Sequence, residues 1–414
     1  MALVKSITDA KAEEINAPIL SSALLVTPNI FLEAENGSQI DLGQVAEEPL
    51  PTTSSIVTLK AFDIADISVV VPEWYTPIMP NAILSNPATL PPANSYSVAW
   101  SPDGQYLAIA HSNTPFITIY KRNGDLFTKL TNPTTLPSNT GNAVAWSPDG
   151  QYLVVAHGTT PFITIYKRSG DIFTKLANPA TLPSNDSYGV AWSPDGMYLS
   201  IGHAGLPYIT IYKRAGDVFT KLPDPATLPP STVHDVVWSS GGQYLCVCHA
   251  NAPYVTIYKR NGDVFTKLAD PAILPPGDSL GVSWSPDNQY LSIAHSIPPY
   301  VTIYKRNGDI FTKLSDPASI PSGTGNSVAW TPDGKYLSVG HGSPPYISIY
   351  KRSGDVFIKL PNLAVGLSGL AQSVAWSPEG FYLAIGQSVT PFINIFKSSM
   401  LQPKGLPVPI SILP

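Results

Sequence analysis

Six histidines recur at intervals of 46 residues, at His111, His157, His203, His249, His295 and His341, with Gln387 at the seventh equivalent position. Imidazoles in such a set invite a zinc site, because neutral His is a common ligand of that ion. Zinc requires its nitrogens within about 2.0–2.1 Å, whereas equivalent residues on neighbouring packed sheets stand about 10 Å apart. The set therefore predicts a structural His that bonds a nearby loop, and Gln387 suits the same place because an amide also donates and accepts. All six arginines follow a lysine and precede an aspartate by three residues, as in Arg122 and Asp125. A ring of Arg could hold a polyanion, but the matching carboxylates predict a charge-balanced, solvated rim. His234 and Asp235 are the one His-Asp neighbour pair; adjacent strand residues point to opposite faces, so they make no base and orienter. Cys246 and Cys248 replace small residues of the other copies and read as core rather than as ligands.

These residues are carried by a repeated unit. Trp100, Trp146, Trp192, Trp238, Trp284, Trp330 and Trp376 each stand in a version of Val-Ala-Trp-Ser-Pro-Asp-Gly. In the first copy Ser97–Ser101 reads as a short strand, Pro102-Asp103-Gly104 as a reversal, and Tyr106–His111 as a second strand. Phe116–Arg122 alternates as a third, and Asn123-Gly124 turns the chain into a fourth from Asp125 to Leu130. Four short antiparallel strands per unit, seven units and both strand faces apolar or small predict an all-β, seven-bladed propeller with the core between blades.

The seventh copy has no Phe-Thr-Lys-Leu after Phe392–Lys397, while residues about 79–85 match the end of a fourth strand at the 46-residue offset. They are expected to close the last blade, leaving no open edge. A rival closure uses Pro407–Leu413, a weaker strand because of its prolines. The propeller is thus assigned to 79–414 and a separate segment to 1–78. That segment holds 11 Asp or Glu against three Lys, and reads as a short helix near Thr8, a hairpin over Phe31–Leu42 and strands between Ile56 and Val71. Its size and acidity suggest an anchoring or docking role that depends on another surface.

Charged residues make up only 13% of the chain and the net charge is -5, which excludes a basic nucleic-acid footprint or a polybasic membrane segment. No run approaches the roughly 18 apolar residues that membrane insertion needs. With two cysteines in one strand, a disulfide framework is excluded too. No cofactor and no metal are expected.

The phrase Val-Ala-Trp-Ser-Pro-Asp-Gly-x-Tyr-Leu, with Ile-Thr-Ile-Tyr-Lys and Gly-Asp-x-Phe-Thr-Lys-Leu, resembles the blade of WD-repeat propellers across all seven units. Departures are a Tyr at the end of the third strand where that family usually has Trp-Asp, and no Gly-His dipeptide before the first. The near-identical blades are also similar to propellers of tailed-phage and prophage structural proteins. This second resemblance implies a virion or tail component, made in the host cytoplasm, that joins other assembly proteins through residues 1–78. The first implies a cytoplasmic protein-interaction scaffold. An enzyme with its site in the channel, such as a lactonase or hydrolase, is the least favoured reading.

Differences among the copies locate a candidate recognition face. The turns are nearly uniform, whereas the loop after the His position varies from Ser-Asn113-Thr to Ala-Gly-Leu and Ser-Val-Thr. The segment before the first strand places Tyr96, Asn142, Tyr188, His234, Leu280, Asn326 and Gln372 at one equivalent position. With alternating strand directions both vary on one face of the disc. Loops on a rigid scaffold change contacts without disturbing the core, and Tyr96, Tyr188 and Tyr208 offer flat amphipathic surfaces for a protein or glycan receptor.

Overall fold

The structure, a computed structural model, describes residues 31–34, 39–41, 67–68, 80–363 and 366–398. The chain divides into two units, one of Met1–Ile78 with Met400–Pro414 and the other of Met79–Ser399. In the first, the described residues form a three-stranded antiparallel sheet, with Phe31–Ala34 between Gln39–Asp41 and Ile67–Ser68. The expected hairpin thus lies among the described residues. The expected helix near Thr8, most of the Ile56–Val71 region and the rival closure at Pro407–Leu413 lie outside them.

The second unit consists of seven four-stranded antiparallel sheets. Blade one runs Ser95–Trp100, Tyr106–His111, Ile117–Asn123 and Leu126–Lys129, each strand paired with the one before. The other inner strands begin at Gly141, Ser187, Val233, Ser279, Gly325 and Ala371. Consecutive inner strands touch, and Ala371–Trp376 touches Ser95–Trp100, so the ring is closed. Blade seven takes its outer strand from Pro80–Ile83, which pairs with Ile393–Ser398 through Ile83 opposite Phe396.

Every residue of the second strand of each blade is buried, because that strand lies mid-sheet with a neighbouring blade against each face. The seams are aromatic. Tyr106 of blade one lies 6.0 Å from Trp146 of blade two, which meets Phe173 edge-on at 5.7 Å. Trp146 Nε1 donates across the same seam to Ala99 O at 3.2 Å. Deleting a buried Trp of this kind costs about 3–5 kcal/mol, so the repeated Trp is the main apolar tie between blades.

One local expectation is corrected. Asn123 pairs with Leu126, so the two-residue connection is Gly124-Asp125 and not Asn123-Gly124. Gly124 has φ +59°, while Asp125 is absent from the positive-φ residues. A glycine-first connection with a single positive φ is the II′ geometry, which matches the right-handed twist of the flanking strands. The shift by one residue places the aspartate at the tip, where the preceding blade can reach it.

Candidate functional site

The two ends of the disc differ in how their polar groups are used. At the turn end, Asp171 of blade two accepts from Tyr106 Oη at 2.5 Å and from Lys121 Nζ at 2.8 Å, both in blade one. Lys121, and then Tyr106, hold the Asp171 carboxyl below the usual aspartate range. Burial, and then the same carboxylate, push the Tyr106 phenol up to about 12. Arg168 of blade two reaches back over the Tyr106 ring at 4.6 Å and pairs with Asp103 at 3.3 Å. The arrangement repeats around the ring and spans the closure, where Arg122 meets Glu379 at 2.7 Å and Asp125 meets Lys397 at 2.8 Å. The charge-balanced, solvated rim expected from sequence holds for the exposed Lys–Asp pairs, but the pairing differs: the Arg, mostly buried, and the Asp three residues on both bind the preceding blade, not each other.

The histidines are interior. His111 Nε2 lies 3.0 Å from Thr118 Oγ1, and five further blades repeat the pair with Thr164, Thr210, Thr256, Thr302 and Ser348. In blade seven both partners change together, and Gln387 Nε2 donates to Asn394 Oδ1 at 2.5 Å. Burial pushes all six histidines down to about 4, so they are neutral at pH 7. Among the described residues no group of three His, Cys, Asp or Glu side chains is placed to hold a metal ion.

At the other end, Ser95 lies opposite His111 and Ser97 opposite Ala110, leaving Tyr96 as an unpaired bulge. The same bulge falls at Asn142, Tyr188, His234, Leu280, Asn326 and Gln372. The seven candidates are thus not in a loop before the inner strand but are its second residue, re-aimed by the extra residue as bulges do. Because the inner strands ring the axis, these side chains surround the mouth of the central channel. Asn142 Nδ2 donates to Ser187 O at 2.9 Å and Asn326 Nδ2 to Ala371 O at 3.0 Å, each reaching the next blade. Tyr188 and His234 face one another with ring centroids 6.3 Å apart. Tyr96 is exposed and the other six are half-buried.

The loops after the His position open on this same face. Asn113 is exposed, and its carbonyl accepts from Phe116 N at 2.7 Å. Tyr208 is half-buried at φ +67°, and its ring packs on the blade-three to blade-four core. It therefore offers an edge rather than an open platform.

Blade four departs from the others in ways the repeat text understates. Asp235 stands where other blades have Ser97, Ala143, Gly189, Gly281, Ser327 and Ser373. Its Oδ2 accepts from Val282 N at 3.0 Å and its Oδ1 from Val236 N at 2.9 Å. A fraction of the residue meets solvent, but its carboxyl is enclosed by protein, and that desolvation pushes it up to about 7. Cys246 and Cys248 are free and buried on the same seam. Gly241 replaces the turn aspartate, so Arg306 caps Asn288 O and Gly308 O instead of meeting a carboxylate. Sequence reasoning dismissed Asp235 because its neighbour His234 points elsewhere. The signal that could have found it is its departure from the Ser, Ala or Gly of six other copies.

Fold and repeats together define a seven-bladed β-propeller with WD-like repeats. A family model for eukaryotic translation initiation factor eIF2A matches residues 88–204, which span the first two repeats and half of the third. No curated protein matches the chain in sequence. Among solved structures, hydrazine synthase of Kuenenia stuttgartiensis is similar at TM-score 0.62 and 16% identity, covering 77% of this chain and 99% of its own. A chain of the mitotic checkpoint complex is similar at TM-score 0.58 and 19% identity, covering 82% and 99%. A candidate 6-phosphogluconolactonase of Bacteroides uniformis is similar at TM-score 0.56 and 18% identity, covering 67% and 87%. At such identities the likeness is one of fold alone. The resemblance to phage propellers gains no support from these matches.

Proposed function

We propose that this chain is a non-enzymatic scaffold that recognises a protein partner at the channel mouth. The observation that carries this reading is the bulge position. One backbone geometry recurs seven times there, yet it presents Tyr, Asn, Tyr, His, Leu, Asn and Gln. The Trp, Tyr, Arg and Asp positions that hold the ring together are nearly identical from blade to blade, whereas this partly exposed position varies, so its diversity can serve contact. The family match to a translation initiation factor and the likeness to a chain from a multiprotein complex favour a cytoplasmic scaffold over a virion component. Docking of a virion protein through residues 1–78 rests on the repeat text, and mass spectrometry of purified particles tests it.

A photo-crosslinking side chain placed at Gln372 tests the recognition face against one placed at Leu126 on the turn end. Discrete protein adducts in lysate from the mouth probe, with few from the turn probe, are the expected result. Adducts confined to Leu126, or none from Gln372, would overturn the assignment.

A further inference from the structure

The mouth is not electrically uniform. Residues 80–398 contain eighteen carboxylates, and fifteen have a Lys or Arg nitrogen within ion-pair distance. Among the described residues the three without one are Asp186, Asp235 and Asp278, at the starts of the inner strands of blades three, four and five. Asp186 and Asp278 share one repeat position, occupied elsewhere by Asn94, Thr140, Thr232, Thr324 and Leu370. The two outer carboxylates, Asp186 and Asp278, therefore flank blade four on consecutive seams with no described Lys or Arg nitrogen within ion-pair distance.

Each of the two outer carboxylates has an exposed aliphatic side chain on the loop beside it. In blade three this is Leu206, 67% exposed, next to Gly205, where an added Cβ would come within 2.9 Å of Asn185 Cβ. In blade five it is Ile297, 47% exposed, whose Cγ1 would lie 2.8 Å from a Cβ on Gly277, the residue before Asp278. Between these two places stand the paired rings of Tyr188 and His234. No Lys or Arg occurs in residues 184–188, 204–206, 231–234, 277–280 or 296–298.

An anionic partner such as nucleic acid or a sulfated glycan meets repulsion here, and a neutral glycan can donate hydroxyls to the carboxylates but leaves their charge uncompensated and the aliphatic side chains uncovered. A Lys or Arg side chain uses every feature. Its methylene stem covers an aliphatic neighbour while its head reaches a carboxylate, and a tyrosine face adds attraction for the cation. Building on the recognition-face reading, we propose that blades three to five bind a basic peptide segment. One Lys or Arg is seated at Asp186 and Leu206, a second at Asp278 and Ile297, and the intervening residue lies over Tyr188 and His234.

An array of nonapeptides of varied composition, probed with the full chain, tests this directly. Peptides with two or more Lys or Arg residues dominate the bound set. By fluorescence anisotropy, the affinity for the best of them falls at least tenfold in the D186N/D278N double variant and several-fold in L206S/I297S. It changes less than twofold in D224N/D270N, whose carboxylates on the same face are already paired with Lys221 and Lys267. Bound peptides that are neutral or acidic, unchanged affinity in D186N/D278N, or tighter binding of a heparin oligosaccharide or single-stranded DNA would overturn the proposal. If mouth crosslinking at Gln372 persists in that case, recognition stands and only the basic partner is wrong. If neither assay detects a partner, both readings fall.

Discussion

The turn end and the mouth end of this propeller are made from the same strands and treat their charges in opposite ways. At the turn end, carboxylates such as Asp171, Asp217 and Asp263 each accept from a Tyr and a Lys of the preceding blade, and their pKa values are lowered. At the mouth end, Asp235 has only backbone N–H donors and its pKa is raised. A ring that closes by repetition needs one rule for joining neighbours, and the turn end supplies it in nearly every seam. Relieved of that task, the mouth end tolerates an unpaired carboxylate, a bulge of any residue type and a varied loop.

Opposite pH dependence is the largest consequence. Asp235 keeps its proton up to about pH 7 in the folded chain, whereas an unfolded aspartate loses it near about 3.9. Between those values the native state holds the extra proton, so this contribution to stability is full below the unfolded value and is lost as pH rises through 7. D235S supplies the hydroxyl that Ser97 uses to accept from Val144 N in another seam. It is expected to stabilise the protein at pH 8 by on the order of 3 kcal/mol, and by less than about 1 kcal/mol at pH 4. Urea unfolding at the two pH values measures it; equal gains at both would mean that desolvation of the charged form is not the cost. The turn-end aspartates have the reverse sign, since their contribution is present above the unfolded value and disappears as pH falls through the lowered folded one.

R214A sharpens the turn-end half of the comparison. Arg214 lies 4.8 Å over Tyr152 and 3.0 Å from Asp149, with its side chain mostly buried. Its removal is expected to cost about 1–2 kcal/mol in thermal or chemical unfolding, much of it lost stacking and stem packing. A loss no larger than that of an exposed pair would show that the interlock is ornamental.

A smaller effect of opposite sign is expected for G241D. Blade four alone lacks the turn acid, an added Cβ there meets only Asn288 Nδ2 at 3.6 Å, and Arg306 is within the same seam. Restoring the pair should add about 0.5–1 kcal/mol, read as a raised urea midpoint that high salt reduces. Destabilisation would mean that blade four has been rebuilt around Gly241.

Smallest of all is Q372A at the mouth. A change within about 0.5 kcal/mol is expected in unfolding, as for surface positions outside special features, together with weakened capture of partners. A large loss of stability would turn this bulge from a recognition position into a structural one.

Some of the fine structure was legible in retrospect from particular residues. His and Thr change together to Gln387 and Asn394 in one blade, which is what a bonded pair would do. The Gly-Asp connection was obscured because Asn-Gly is itself a strong hairpin signal, and only the strand register decides between the two. The unpaired state of Asp186 and Asp278 could not be read at all, since the same letters at Asp224 and Asp270 are ion-paired.

What the amino-acid order determined alone was the count of blades, the four-strand unit and the borrowed strand from before the first Trp. These depend on local alternation and turn chemistry, which each copy repeats within 46 residues. Only the tertiary structure decided which blade each Arg, Asp and Tyr binds, where the bulge aims its side chain, and which carboxylates have no counter-ion. Those outcomes depend on lateral packing between copies, as between Tyr106 and Asp171, 65 residues apart. A repeat describes its own interior identically every time, while the surface it meets belongs to its neighbour.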